Sequence, residues 1–143
     1  MNPKVVTIGL GYIGLPTSAL IASKLTQVLG VDIDQKVVDT VNEGKIHIVE
    51  PDLDVIVSKA VNDGFFKAST TAVAADIFLI VVPTPFKGNH EPDISYVESA
   101  TRAILPLLKK GDLYIIESTS PIGTTEKIQD LIFQFRPELK GEM

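Results

Sequence analysis

A chain of 143 residues with 45% hydrophobic and 22% charged residues has the size and composition of one domain able to bury a core. Its net charge of -5 argues against nucleic acid or an anionic membrane as main partner, because both attract basic surfaces. It contains no cysteine, which excludes disulfides, thiolate metal sites and a cysteine nucleophile within these residues and fits a reducing cytosol.

Residues 4–9 form a short apolar run rich in β-branched side chains and ending in Gly9, which predicts a buried strand. Gly9, Gly11 and Gly14, followed by Pro16, interrupt the apolar N-terminus, so an export helix is a poor reading. The chain is therefore expected to be cytoplasmic and unprocessed. Residues 12–24 turn helical, and residues 27–31 suit a second strand with Asp32 directly after it. Asp34 is placed to cap a helix over 35–43 that Gly44 stops. Another helix is expected from about residue 52 to residue 62, opened by Glu50-Pro51 and closed by Asp63-Gly64.

Residues 66–69 suit a third strand. Residues 76–82 are the clearest strand, apolar enough for burial on both faces yet far too short to span a membrane. Residues 83–92 are expected to be a loop, 95–108 a helix, 113–116 a strand and 124–135 a helix, while the polar tail 137–143 predicts no regular element. Strand and helix alternate throughout, with connections long enough for right-handed crossovers. The expected fold is α/β, a Rossmann-type doubly wound parallel sheet forming a single domain over residues 1–143.

Gly9-Leu10-Gly11-Tyr12-Ile13-Gly14 is a G-x-G-x-x-G loop placed where physics requires it, after the first strand and opening the first helix. The first glycine permits the tight turn, the second admits a pyrophosphate to the backbone, and the third lets helix and strand pack closely. Free N–H groups and the positive end of the helix dipole then face the phosphates. Gly9, Gly11, Tyr12, Ile13 and Gly14 are thus expected to hold a dinucleotide. Taken alone the motif is weak, since any glycine-rich turn can match it. Asp32 strengthens it, standing about 20 residues further on, where an acid accepts hydrogen bonds from the adenosine ribose. The same carboxylate repels the 2′-phosphate of NADP, and no arginine follows to receive that phosphate, so NAD is the expected cofactor.

Other residues have a plain reading beside the functional one. Thr84 lies between Pro83 and Pro85 just past the strongest strand, at the sheet edge where ligands bind, although a rigid surface turn would look the same. Thr119 occupies the equivalent place after the last strand. Thr124 suits an N-cap, and Thr125 either contacts cofactor or completes that cap. Glu50 suits the helix dipole. His47 and His90 have no second histidine or cysteine at ligand spacing, so no metal site is expected.

Taken together, these residues resemble the UDP-glucose/GDP-mannose dehydrogenase family. The likeness begins with the glycine loop and its continuation Leu15-Pro16, then runs through Asp32, Val41-Asn42-Glu43-Gly44 and Glu50-Pro51-Asp52-Leu53. Val82-Pro83-Thr84-Pro85, Pro92-Asp93 and Ser118-Thr119-x-Pro121-x-Gly123 complete it, so that it covers nearly the whole chain. The stretches 46–51 and 85–93 look like the branch that acts on UDP-N-acetyl-D-mannosamine. The resemblance implies oxidation of a sugar C6 alcohol to a carboxylate with two NAD, in the supply of cell-surface polysaccharide precursors. It implies that Thr84 touches NAD and that Thr119 lies near the nicotinamide and helps order a water or the substrate. Glu117 stands where the family varies and receives no role.

The resemblance also implies a catalytic cysteine that forms a thioester, and a homodimer built by a central helical region followed by a UDP-sugar-binding domain. These residues are expected to be a truncated portion that binds NAD but oxidises no sugar alone, with no catalytic residue of their own. A rival from another class is a nucleotide-sensing regulatory domain. It accounts for the glycine loop and Asp32 equally well but leaves the turns at Thr84 and Thr119 unexplained. A methyltransferase shares the strand-end acid, but the loop spacing favours a dinucleotide.

Overall fold

The computed structural model describes residues 2–143. Its main strands are four residues long and mostly apolar. In chain order they are β1 (Val5–Ile8), β2 (Val28–Val31), β3 (Phe66–Ser69), β4 (Ile77–Ile80) and, after a small hairpin, β7 (Leu113–Ile116). All five run parallel in the order β3-β2-β1-β4-β7. The chain starts in the middle strand, builds outward on one side, then returns to build on the other. The order therefore reverses between β1 and β4, the place where open parallel sheets bind ligands.

Helices cover both faces, as right-handed crossovers require. On one side α1 (Gly14–Ser23), α2 (Gln35–Asn42) and α3 (Leu53–Asn62) bury Leu15, Val41 and Val57 against Phe66 and Leu79. On the other, α4 (Ser95–Ile104) and α5 (Thr124–Phe135) bury Ile104 and Ile128 against Phe78 and Ile80. Phe66 and Phe78 are fully buried on opposite sides, each worth about 1.5–3 kcal/mol of transfer free energy. Asp34 caps α2, its carboxylate accepting from the Lys36 amide at 2.9 Å. Asn42, at the end of α2, bonds both backbone groups of Ala68, at 2.9 and 2.8 Å, and so occupies part of the free edge of β3.

Several boundaries differ from those expected. The first helix begins at Gly14 rather than residue 12, because Tyr12 and Ile13 remain in the turn. The helix expected over 95–108 ends at Ile104 and tightens into a 3-10 turn over Leu105–Leu107, where Pro106 has no amide to donate. Within the expected loop 83–92, β5 (Phe86–Lys87) and β6 (Glu91–Pro92) pair antiparallel around Asn89 and His90, both left-handed. The tail is anchored rather than irregular. It forms a 3-10 turn over Pro137–Leu139, buries Leu139, and receives the Gly111 amide at the Glu142 carbonyl.

At the amino ends of the strands, an ionic cluster pins β1, β4 and β7 together. Asp112 is buried and accepts from the Lys109 amide at 2.9 Å and from its ammonium. The same ammonium reaches the Ala75 carbonyl at 2.7 Å and Asp76 at 3.5 Å. The Lys4 amide first, helped by the Lys109 charge, holds the Asp76 carboxyl below its usual range. A depressed carboxylate stabilises the fold above its ordinary pKa, and that contribution disappears as pH falls through the lower folded value. Asp112→Ala is expected to cost roughly 1–3 kcal/mol by stranding the Lys109 amide and ammonium, measurable as a shift in the denaturant midpoint.

Thr7, in the central strand, is fully buried and its hydroxyl has no partner among the described residues. Thr7→Val keeps the shape and removes the stranded hydroxyl. It is expected to raise stability by about 1 kcal/mol, and thermal melting of the two proteins reads the difference directly.

Candidate functional site

The carboxyl ends of β1, β2, β4 and β7 gather most of the residues singled out above. After β1 the chain turns at Gly9, with φ +105°, and a Cβ there would stand 2.3 Å from the Val81 carbonyl oxygen. At Gly14 a Cβ would stand 1.9 Å from the Gly9 carbonyl oxygen. Both glycines are forced by the protein's own backbone. Gly11 is different, because a Cβ there would meet nothing within 4 Å. The space over Gly11 is open, and the Gly11, Tyr12 and Ile13 amides meet no acceptor among the described residues. Open space, free amides and a helix start form a cradle for an anion.

Leu10, between the first two glycines, is fully buried, and its side chain fills the place a Cβ on Gly30 would take. The loop is thus pinned onto β2 from below. Its amide is pinned as well, donating to Asp32 Oδ2 at 3.0 Å, while Asp32 Oδ1 accepts from the Asp34 amide at 3.0 Å. Asp32 therefore joins the glycine loop directly, which its position in the sequence does not reveal. Each carboxylate oxygen keeps capacity to accept a further hydrogen bond. Beside it Ile33 stands 96% exposed, an apolar surface next to the acid. With open space over Gly11, this side suits an adenosine whose ribose hydroxyls donate to Asp32.

Across the strand-order reversal, Thr84 and Thr119 meet. The Thr84 hydroxyl donates to the Thr119 carbonyl, joining the turns that follow β4 and β7. Ser118 adds a second tie, its hydroxyl donating to the Val82 carbonyl at 2.8 Å. Glu117 completes this wall, accepting from the Thr17 hydroxyl of α1 at 3.0 Å. Neither Thr17 nor the Glu117 contact was visible in sequence, because a helix and a strand end a hundred positions apart carry no local signal of meeting. Ser118-Thr119 in a turn was the one hint.

Thr124 and Thr125 fall differently from expectation. The residue before α5 is Gly123, left-handed at φ +88°, so Thr124 is the first helical residue and not the N-cap. Its buried hydroxyl donates to the Pro121 carbonyl at 2.7 Å and closes the turn. Thr125 is exposed on the first turn of α5 and hydrogen-bonds to none of the other candidates. Glu50 is exposed, and its carbonyl, not its carboxylate, meets the α3 start at Leu53. The residue between them in the Glu-Pro-x-Leu segment, Asp52, is left-handed at φ 63°. A shallow hollow of about 540 Å³ lies along this loop, lined by Ile46, His47, Val49 and Glu50, apart from the crevice residues. Among the described residues no group of three or more histidines, cysteines or acids is arranged to hold a metal, and no helix is long and apolar enough to cross a membrane.

Comparison with known proteins agrees with this geometry. The profile of the UDP-glucose/GDP-mannose dehydrogenase family, NAD binding domain, matches residues 3–142. The chain is 62% identical over 135 residues to the UDP-N-acetyl-D-mannosamine dehydrogenase of Escherichia coli strain K12, covering 94% of this chain and 32% of that protein. It is 56% identical, with the same coverage, to an NDP-N-acetyl-D-galactosaminuronic acid dehydrogenase of Ralstonia nicotianae. Among solved structures, a UDP-N-acetyl-mannosamine dehydrogenase from S. aureus superposes with a TM-score of 0.90 at 41% identity, over 94% of this chain and 32% of that one. The chain thus spans about a third of the length of these relatives.

Proposed function

The chain belongs to the UDP-glucose/GDP-mannose dehydrogenase family as its NAD binding domain, and from that premise we propose that it serves a UDP-N-acetyl-D-mannosamine 6-dehydrogenase. One observation carries the reading. A backbone cradle left open only at Gly11 stands between an acid on the β2 side and a hydroxyl-lined wall on the β4–β7 side. That is the layout of a dinucleotide lying across the reversal of strand order. The residues present fit NAD. Gly11, Tyr12 and Ile13 would face its pyrophosphate, Asp32 its adenosine ribose, and Thr84 and Thr119 its nicotinamide side. Bound there, NAD supplies the hydride acceptor for oxidation of the sugar C6. Thr125, exposed on α5, would touch it only from the outer rim.

The rest of the activity is proposed for the whole protein. Two successive hydride transfers to NAD take the C6 alcohol through an aldehyde to a thioester on a cysteine, and water then cleaves the C–S bond to release the carboxylate and the thiol. The 143 residues hold no cysteine, so they supply cofactor binding and one wall of the site, not the nucleophile. The family resemblance supports a central helical region, a UDP-sugar-binding domain and a homodimer. The net charge of -5 speaks against nucleic acid or an anionic membrane as the partner.

The sugar is the finer part of the reading. It is supported by the stretches 46–51 and 85–93 and by relatives at 56–62% identity whose names carry N-acetylated sugars. The test follows NADH absorbance of the full-length protein with UDP-N-acetylmannosamine, UDP-N-acetylglucosamine, UDP-glucose and GDP-mannose in parallel. The expected result is two NADH per UDP-N-acetylmannosamine and little from the others. Turnover of another sugar alone would keep the chemistry and discard the substrate. Binding of NAD without turnover of any sugar would leave a nucleotide-sensing domain as the better account.

A further inference from the structure

We propose that Glu117 is a cofactor-binding residue for the nicotinamide half of the dinucleotide, positioned by Thr17, an inference that rests on the NAD reading above. The backbone at Glu117 is fixed one residue past β7, its amide donating to the Ile80 carbonyl at 2.9 Å. From there the side chain reaches α1, where Oε1 accepts from the Thr17 hydroxyl at 3.0 Å. Thr17 sits in the first turn of the helix that the glycine loop opens, its amide bonded to the Ile13 carbonyl at 3.0 Å. The carboxylate thereby links the end of β7 to the first turn of α1, on the side of the strand-order reversal opposite Asp32, where the Thr84–Thr119 tie also lies.

An exposed glutamate ordinarily leaves its carboxylate in water, since holding a flexible side chain against solvent gains little. Here one oxygen is held while Oε2 has no partner among the described residues. A carboxylate with one oxygen anchored and one free accepts well from two groups on a nicotinamide nucleotide, the ribose hydroxyls and the carboxamide NH₂. Its charge also discriminates between redox states. The oxidised ring is a cation and the reduced ring is neutral, so a nearby carboxylate favours the oxidised form. Such a bias suits a site that consumes NAD and must release NADH.

The test titrates the full chain calorimetrically with NAD, NADH and ADP, the last presenting only the adenosine half. Glu117→Gln keeps the shape and the Thr17 contact while removing the charge. It is expected to weaken NAD about tenfold, to weaken NADH less, and to leave ADP unchanged. Thr17→Val, which releases the carboxylate, is expected to move NAD affinity in the same direction, again without effect on ADP. An unchanged NAD affinity in Glu117→Gln would overturn the proposal, as would an equal loss for NAD and ADP, which indicates damage to the loop. If the unaltered chain binds neither NAD nor ADP, the cofactor reading fails first and takes this inference with it.

Discussion

Gly14→Ala is expected to unfold or severely destabilise the domain, whereas Gly11→Ala leaves stability intact and removes most of the NAD affinity. The two glycines look equivalent in the motif, but their surroundings are opposite. A Cβ on Gly14 would stand 1.9 Å from the Gly9 carbonyl oxygen and 2.9 Å from its carbon. Both are backbone atoms of a loop already held by Val31 and Asp32, through the Gly9 and Leu10 amides. The loop cannot retreat without breaking those bonds, so a cost on the order of 3–5 kcal/mol follows. At Gly11 the added methyl meets no protein atom. Removing the glycine's extra freedom in the unfolded chain stabilises by about 0.4–1 kcal/mol where the backbone permits it. The methyl projects instead into the space a pyrophosphate would take, and a loss of at least about tenfold in NAD affinity is expected. Melting curves and calorimetric titration on both variants separate the two roles. A Gly11→Ala protein that binds NAD normally would remove the cradle from the argument.

The second large effect concerns Asp32. Asp32→Ala is expected to weaken NAD roughly 30- to 100-fold, equivalent to about 2–3 kcal/mol, from the loss of charge-assisted hydrogen bonds to the ribose. Part of that loss is indirect. The carboxylate also holds the Leu10 and Asp34 amides, so its removal loosens the glycine loop and the start of α2. A fall in melting temperature should therefore accompany the loss of affinity. Cofactor choice gives a readout that loop damage alone would not produce. The unaltered domain is expected to prefer NAD to NADP by at least about tenfold, because a carboxylate opposes the 2′-phosphate. Asp32→Ala should narrow that preference, NAD falling while NADP holds steady or gains. Equal affinities for the two cofactors in the unaltered domain would sink the reading of Asp32.

Family and fold were legible from the chain alone because their signals are local. Apolar β-branched runs, helix stops at Gly44 and Gly64, and the spacing from Gly9 to Asp32 are all set within a few tens of residues. Alternating strands and helices then leave one common solution, a parallel sheet wound both ways. Boundaries were less legible where two local tendencies compete. Pro106 sits within a helical pattern and turns its last part into 3-10, and Asn89-His90 folds back a segment that otherwise looks like plain loop.

The arrangement of the site was decided by tertiary structure. Sequence put Asp32 and the glycine loop in one motif, but the Leu10–Asp32 bond, and the room Gly30 leaves for Leu10, exist only once β1 and β2 are paired. Thr84 and Thr119 were each marked as strand-end residues, and pairing of β4 with β7 brings them into contact. Glu117 and Thr17 are the clearest case, a hundred positions apart and without meaning until the folded sheet lets the Glu117 side chain reach α1. Periodicity, turn chemistry and motif spacing are carried by neighbours along the chain, so sequence determines them. Which side chains share a crevice depends on strand order and crossover geometry, and those are settled only when the whole sheet closes its core.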